Sequence, residues 1–308
     1  MMTKSVAVLG SGAVGSYLLW GFSRKEDIDF CVVAQGERKD RYEKNGWKIN
    51  GEMYFPTIKT PSQAKGVDIL FVCVKYNALQ AALEDIKEIV TEKTMVLSLM
   101  NGVESEKIIG EAIGKEHMMY SLIKIASERK ENSIVFDPET TIGIIFGEED
   151  PNRTDRIDFL CELLNGTPLR YHITSTILVD IWEKFRLNVT YNLPQAMLGV
   201  GLGAYRDSAH VAFIQNKLKE EVEAIATAEG IDLLMSESVY PKGSRGADRA
   251  RYSTLQDLEA KRHTEIDMFA GALIKLGKIH NIPTPYSEMT YHMIKALEEK
   301  NDGKFDYE

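Results

Sequence analysis

Lys184, Asn188 and Asn192 recur every four residues in a run of helical character that also carries Trp182, Phe185, Leu187, Val189 and Leu193. On an α-helix this spacing lines the three polar side chains along one face. One ammonium and two amides among apolar neighbours are costly to bury unless polar partners meet them, and a solvated face has little use for a weak helix former such as Asn. The chemistry such a stripe offers is a compact cation that can stabilise and protonate a developing alkoxide, beside amides that can orient a carboxylate or hydroxyl. A second four-residue stripe, Ser253, Asp257, Lys261 and Glu265, is expected on a long helix over Leu255 to Asn281. In it Ser253 and Gln256 are placed as a capping box, and Asp257 and Lys261 as an ordinary helix-supporting pair. Glu265, among Ile266, Met268 and Phe269, is the better candidate for a partly buried functional carboxylate.

A different chemistry is written near the start of the chain. Gly10, Ser11, Gly12, Ala13, Val14 and Gly15 follow a short apolar run directly and open an apolar helix containing Tyr17, Leu18 and Leu19. In such a turn the first glycine allows the tight bend, the second lets backbone approach a pyrophosphate, and the third permits close helix–sheet packing. The helix N-terminus then faces the phosphates, so the segment reads as dinucleotide-binding. Where the second strand ends, an NAD-preferring fold carries Asp or Glu for the ribose 2′-hydroxyl. Here that place holds the neutral Gln35, with Arg38 and Lys39 just beyond, which points to NADP, NAD remaining possible. Lys75 and Asn101 close two further strands and share the crevice outside the carboxyl ends of a parallel sheet.

The elements that must position these residues follow from periodicity. Strands are expected over Ser5 to Leu9, Asp29 to Ala34, Val67 to Val74 and Met95 to Leu99, with helices over Ala13 to Arg24 and Ala78 to Val90 and a small inserted hairpin over Gly46 to Pro56. After Glu116 a β meander through Tyr120 to Ile125, Ser133 to Phe136 and Thr141 to Phe146 reads as an antiparallel extension of that sheet. From about Thr174 the texture turns to amphipathic helices over Ile177 to Asn192, Asp207 to Glu229, Leu255 to Asn281 and Pro285 to Lys300. The fold class is therefore α/β: a Rossmann-type N-terminal domain with an antiparallel extension, over residues 1–172, and an all-helical C-terminal substrate and catalytic domain over residues 173–308. A length of 308 residues is in keeping with two domains.

Composition removes several other classes. With 44% hydrophobic and 27% charged residues, the chain has the balance of an ordinary globular protein. A formal net charge of -9 without a basic cluster argues against nucleic-acid binding. No apolar run approaches a membrane span and no signal peptide is read, so a cytoplasmic location is expected. Cys31, Cys73 and Cys161 lack metal-ligand spacing, and no metal or disulfide framework is expected.

Over nearly its whole length the sequence resembles the ketopantoate reductase family, the NADPH-dependent 2-dehydropantoate 2-reductases. The resemblance is carried by GSGAVG at Gly10, CVKYN around Lys75, NGV at Asn101, WEKFRLNVTYN from Trp182 to Asn192, and STLQDLEAKRHTEIDMFAG from Ser253 to Gly271. It implies reduction of 2-dehydropantoate to pantoate in pantothenate biosynthesis, by a cofactor that supplies the hydride. It further implies Lys184 as general acid, Glu265 on a substrate hydroxyl or the cofactor ribose, and Asn188, Asn192 and Ser253 on the substrate. Lys75 and Asn101 would serve the cofactor side, Asn101 reaching the substrate as well. Family members typically carry Arg where this chain has Gln35. Two alternatives stay open: a mandelate-type D-2-hydroxyacid dehydrogenase acting on another branched 2-keto acid with NAD(P), and a non-catalytic dinucleotide sensor. The expected partner is a small 2-keto acid, and a homodimer is compatible with the sequence.

Overall fold

A computed structural model describes residues 3–130, 133–150, 152–236 and 247–307, the side chains of residues 128–130 and 247 excepted. The chain divides into two compact units, one of residues 1–101 and 105–177, the other of residues 102–104 and 178–308.

The first unit is organised by β1 (Lys4–Leu9), whose side chains alternate between two faces. Val6 and Val8 enter one core with Tyr17, Leu18, Leu19 and Phe22 of helix α1 (Ala13–Phe22). Ala7 and Leu9 enter the opposite core, which Leu79, Leu83 and Ile86 of a later helix fill. Covering both faces in this way is what allows a parallel sheet to form. Next in the chain come β2 (Ile28–Val33), α2 (Gly36–Asn45), β3 (Trp47–Ile49), β4 (Glu52–Tyr54), β5 (Thr57–Lys59) and β6 (Ile69–Val72). They are followed by α3 (Tyr76–Ile89), β7 (Met95–Ser98), α4 (Ser105–Ile113), β8 (Met118–Lys124), β9 (Ser127–Lys130) and β10 (Ser133–Phe136). The unit closes with β11 (Gly143–Gly147), α5 (Thr154–Leu164) and β12 (Tyr171–Ile173). α1 and α5 cover one face of the main sheet, α3 and α4 the other.

The main sheet runs β12-β11-β8-β7-β6-β1-β2-β5. Strands β8, β7, β6, β1, β2 and β5 are parallel to their neighbours, while β11 pairs antiparallel with β8. The chain leaves β1 toward β2 and returns to β1's other side as β6, so the strand order reverses between β1 and β6. In open α/β sheets that switch point is where ligands bind.

The expected antiparallel extension is only partly right. Tyr120 to Ile125 and Thr141 to Phe146 do become main-sheet strands, but Ser133–Phe136 does not join them. It pairs with β9 and, in parallel, with β3, giving a separate four-stranded sheet ordered β4-β3-β10-β9. The cause is the inserted hairpin β3–β4, whose Asn50 and Gly51 turn has φ of 49° and 88°, the both-positive geometry of a tight two-residue hairpin. Its outer edge presents unpaired backbone groups to β10, and Phe136 packs edge-on against Tyr17 and Trp20 of α1.

The second unit is helical: α6 (Ile177–Leu187), α7 (Leu193–Leu198), α8 (Ala204–Asp207), α9 (Ala209–Ala228), α10 (Ser253–Glu259), α11 (Ala272–His280) and α12 (Pro285–Asn301). α9 lies at its centre, packed against α7, α11 and α12 and burying Leu218, Val222 and Ile225. Two of the expected long helices are interrupted. Between α6 and α7 the backbone widens into a π turn over Asn188–Asn192, and Asp267–Gly271 forms a second π turn directly before α11. The helix expected over Leu255 to Asn281 stops at Glu259, and Lys261 takes the left-handed φ of 52°.

Candidate functional residues of each unit

In the first unit, Gly10 turns the chain out of β1 with φ of 96°, and a Cβ there would lie 2.6 Å from the backbone carbon of Cys73 at the end of β6. Backbone therefore meets backbone at the β1/β6 switch point, which no larger residue permits. A Cβ on Gly15 would lie 2.0 Å from the Gly10 carbonyl oxygen, so α1 can approach the turn only because that position is bare. Gly12 is the opposite case, since a Cβ there would meet no protein atom within 4 Å. Gly12 is also the N-cap of α1, with no side chain capping the helix and no acidic residue in its first turn. The Ser11 hydroxyl is buried without a hydrogen-bond partner. An uncapped helix N-terminus, an open approach at Gly12 and an orphaned hydroxyl together fit a pyrophosphate, which accepts hydrogen bonds and carries negative charge. Ala13 and Val14 supply the first backbone amides of that helix.

The remaining predicted residues of this unit lie at strand ends. Gln35 is the N-cap residue of α2, past the end of β2, and its Nε2 donates to Asp85 Oδ1 at 2.9 Å. Lys75 is the exposed N-cap residue of α3, past β6. Asn101 is half-buried past β7. Cys73 is half-buried beside Gly10, and desolvation of its thiol pushes it well above the usual range, while burial and nearby Asp29 push the Cys31 thiol up to about 11 against the pull of Lys59. Both stay protonated, and all three cysteines are free.

In the second unit, Lys184 sits half-buried in the last turn of α6, next to the edge-on pair Trp182 and Phe185. Asn188 begins the π turn and Asn192 ends it. Because a π turn closes i→i+5 hydrogen bonds, the stripe of three is not a plain α-helical face, and such turns are frequent at functional sites. Asn192 is almost fully buried; its Nδ2 donates to Ser253 Oγ at 3.2 Å and its Oδ1 accepts from the Thr254 amide at 3.2 Å. The structure thus brings Asn192 and Ser253 together. Asn188 differs, because its Nδ2 is buried with no hydrogen-bond partner, as is Thr254 Oγ1. A buried donor left unpaired costs about 1–3 kcal/mol, and where it persists in a folded chain a ligand is one explanation.

The capping box at Ser253 is not formed. Tyr252 is the N-cap of α10, Ser253 is the first helical residue, and the Gln256 side chain turns back to the Arg251 carbonyl at 2.9 Å. Ser253 Oγ is left for Asn192. The second stripe also dissolves, because the helix ends before Lys261 and Asp257 is bridged by Arg262 at 2.7 Å. Glu265 therefore stands on a non-helical stretch, half-buried, just ahead of the second π turn.

Two residues overlooked in the sequence hold these residues of the second unit in place. Gln195, fully buried, donates from Nε2 to the Ala250 carbonyl at 2.9 Å and accepts the Tyr252 amide on Oε1 at 2.6 Å. It fixes the irregular segment that leads into Ser253. Glu298 of α12, 3% exposed, accepts the Thr264 amide at 2.7 Å and the Thr264 hydroxyl at 2.6 Å. Thr264 Oγ1 in turn lies 3.2 Å from the Ile266 amide, so both neighbours of Glu265 are tied down. A polar residue interrupting an apolar helical run was the available signal for Gln195; nothing local marks Glu298, which acts 34 residues from its partner.

A parallel sheet with a glycine turn at its switch point, followed by a helical unit with a Lys–Asn–Asn run, defines the class of two-unit, nicotinamide-dinucleotide-dependent oxidoreductases. Among the described residues no group of three or more His, Cys, Asp or Glu is arranged to hold a metal, and no helix is long and apolar enough to cross a membrane. The family model "Ketopantoate reductase PanE/ApbA" matches residues 6–145, and its C-terminal counterpart matches residues 176–298. The chain belongs to the ketopantoate reductase family. A 2-dehydropantoate 2-reductase of Pyrococcus horikoshii is 27% identical, the match covering 97% of this chain and 99% of that protein. One from Mesorhizobium japonicum is 23% identical over 95% of this chain and 97% of its own length. Among solved structures, D-mandelate dehydrogenase with NADH and anilino(oxo)acetate superposes with a TM-score of 0.80 at 21% identity, covering 97% of this chain and 99% of that one.

Proposed function

We propose that this protein reduces 2-dehydropantoate to pantoate, and thereby serves pantothenate biosynthesis. The observation that supports this best is the buried, unpartnered Nδ2 of Asn188, four residues from Lys184 and in the same π turn as Asn192, which pairs with Ser253. When bound, a reduced nicotinamide dinucleotide supplies the hydride. The first unit holds it through Gly10, Ser11, Gly12, Ala13, Val14 and Gly15, with Gln35 toward the adenosine ribose and Lys75 and Asn101 at the neighbouring strand ends. Lys184 stabilises the alkoxide that develops on the keto carbon and delivers the proton from Nζ. Asn188 and Ser253 hydrogen-bond the carboxylate and hydroxyl of the substrate, with Asn192 keeping Ser253 in position. Glu265 accepts from a substrate hydroxyl or the cofactor ribose.

A mandelate-type activity on another 2-keto acid is the second reading, prompted by the superposition with D-mandelate dehydrogenase. The test is loss of reduced-nicotinamide absorbance with 2-dehydropantoate, 2-ketoisovalerate and benzoylformate, each with NADH and NADPH. Preference for 2-dehydropantoate is expected. Preference for benzoylformate moves the chain to the second reading, and binding of cofactor without turnover of any acid overturns both in favour of a sensor.

A further inference from the structure

The cofactor's adenosine end poses a question that Gln35 alone does not answer. In a dinucleotide fold the residue past the end of the second strand faces the ribose, and a carboxylate there accepts the 2′-hydroxyl while repelling a 2′-phosphate. This chain has a neutral amide at that place, yet the amide is bound to a carboxylate: Gln35 Nε2 donates to Asp85 Oδ1 at 2.9 Å. Asp85 lies 50 residues on, in the third turn of α3, the helix that follows β6 on the other side of the switch point.

Resting on the reading that the first unit binds a nicotinamide dinucleotide, we propose that Asp85 takes the part of the strand-end carboxylate and, through Gln35, selects the cofactor with a free 2′-hydroxyl, NADH, over NADPH. Gln35 then bridges: its Nε2 is held by Asp85, and its Oε1 can accept a ribose hydroxyl. A 2′-phosphate within reach of Gln35 is necessarily close to the Asp85 carboxylate as well, and the two repel. The surrounding charges leave that repulsion standing. Glu88 and Glu37 add negative charge, and Lys39 is engaged by Glu43 of its own helix at 3.3 Å. Arg38 is the opposing charge that acts on Asp85, but partial burial, the larger influence, together with Glu88 outweighs it and leaves the Asp85 carboxyl raised. Of the Arg38–Lys39 pair that pointed to NADP in the sequence, Lys39 is thus already engaged by a carboxylate, and Arg38 acts on Asp85.

The experiment is a fluorescence titration of the full chain with NADH and with NADPH, repeated on Asp85→Asn, which keeps an acceptor for Gln35 and removes the charge. The wild-type protein is expected to bind NADH about tenfold or more tightly than NADPH, the size of a unit-charge repulsion across a few ångströms of wet surface. Asp85→Asn is expected to recover most of that factor for NADPH with little change for NADH, and circular dichroism should match the wild type because Asp85 lies near the surface. Equal or tighter NADPH binding by the wild type overturns the proposal, as does a ratio that Asp85→Asn leaves unmoved. Failure of both cofactors to bind overturns the dinucleotide reading itself, and the selection with it.

Discussion

Gly10 and Gly12 stand two residues apart in one turn, yet replacing each by Ala should produce opposite phenotypes. At Gly12, φ is -73°, acceptable to any L-residue, and the added Cβ touches no protein atom within 4 Å. The cost to stability should stay within about 1 kcal/mol, a weaker N-cap being offset by a less flexible unfolded chain. If that open space receives the pyrophosphate, the methyl occupies it, and dinucleotide affinity should fall at least tenfold, or about 1.4 kcal/mol. At Gly10, φ is 96° and the Cβ would lie 2.6–2.7 Å from the backbone of Cys73 and Val74. A left-handed L-residue costs about 1–2 kcal/mol and overpacking about 1–3, so Gly10→Ala should destabilise the first unit by about 2–5 kcal/mol. Thermal melts read the stability and fluorescence titration with NADH reads the binding. A Gly12→Ala protein that binds NADH as the wild type does would refute the placement of the cofactor. A Gly10→Ala protein as stable as the wild type would refute the packing argument.

Lys184→Ala should lower kcat by about 10²-fold or more while leaving the dinucleotide affinity unchanged, since it removes only the proton donor and its charge; parallel loss of both would show that Lys184 supports the fold instead. Glu298→Ala should free Thr264 and raise KM through Glu265, whereas Glu298→Gln retains an acceptor and should recover much of the loss. If both variants behave alike in KM and kcat, Glu298 does not act through the Glu265 segment. Asp68 supplies a pH signature: its partial burial opposes ionisation, but hydrogen bonds from the Ser5 hydroxyl and amide and from Lys93 outweigh this and hold its pKa below the ordinary value. A depressed carboxylate contributes stability above its unfolded pKa and loses it as pH falls through the folded value. Acid unfolding should therefore steepen below the ordinary aspartate range, and Asp68→Asn should flatten it, as denaturant melts across that range would read.

The first unit was largely legible because its signals are local. The apolar runs of β1, β6 and β7 are fully or nearly fully buried strands, and the glycine turn sits where strand meets helix. Lys184, Asn188 and Asn192 do follow one another along a helical run, as their spacing implied. What escaped was set by partners far off in sequence. Ser133–Phe136 was drawn to β3, 85 residues away, because an isolated strand pattern does not say which edge it will meet. The break at Lys261 carries neither Gly nor Pro; it forms where the buried Glu298 captures Thr264 and offers those backbone groups a better partner than a continued helix. The partner of Gln35, Asp85 on another helix 50 residues on, likewise has no local signal.

A turn that closes i→i+5 holds one residue more than the α-helical turn it replaces. The Asn188–Asn192 turn can therefore be understood as a one-residue insertion, and deleting any residue from it would let α6 run uninterrupted into α7. Because the wide turn already absorbs its extra residue, α7 would keep its direction about the helix axis, and Gln195 would still face Ala250 and Tyr252. A residue removed between Asn192 and Gln195, outside the wide turn, would instead rotate Gln195 by about 100° about the axis, and the segment leading to Ser253 would lose its anchor. The wide turn is thus the place along this stretch where the chain length can change while the register beyond it is kept.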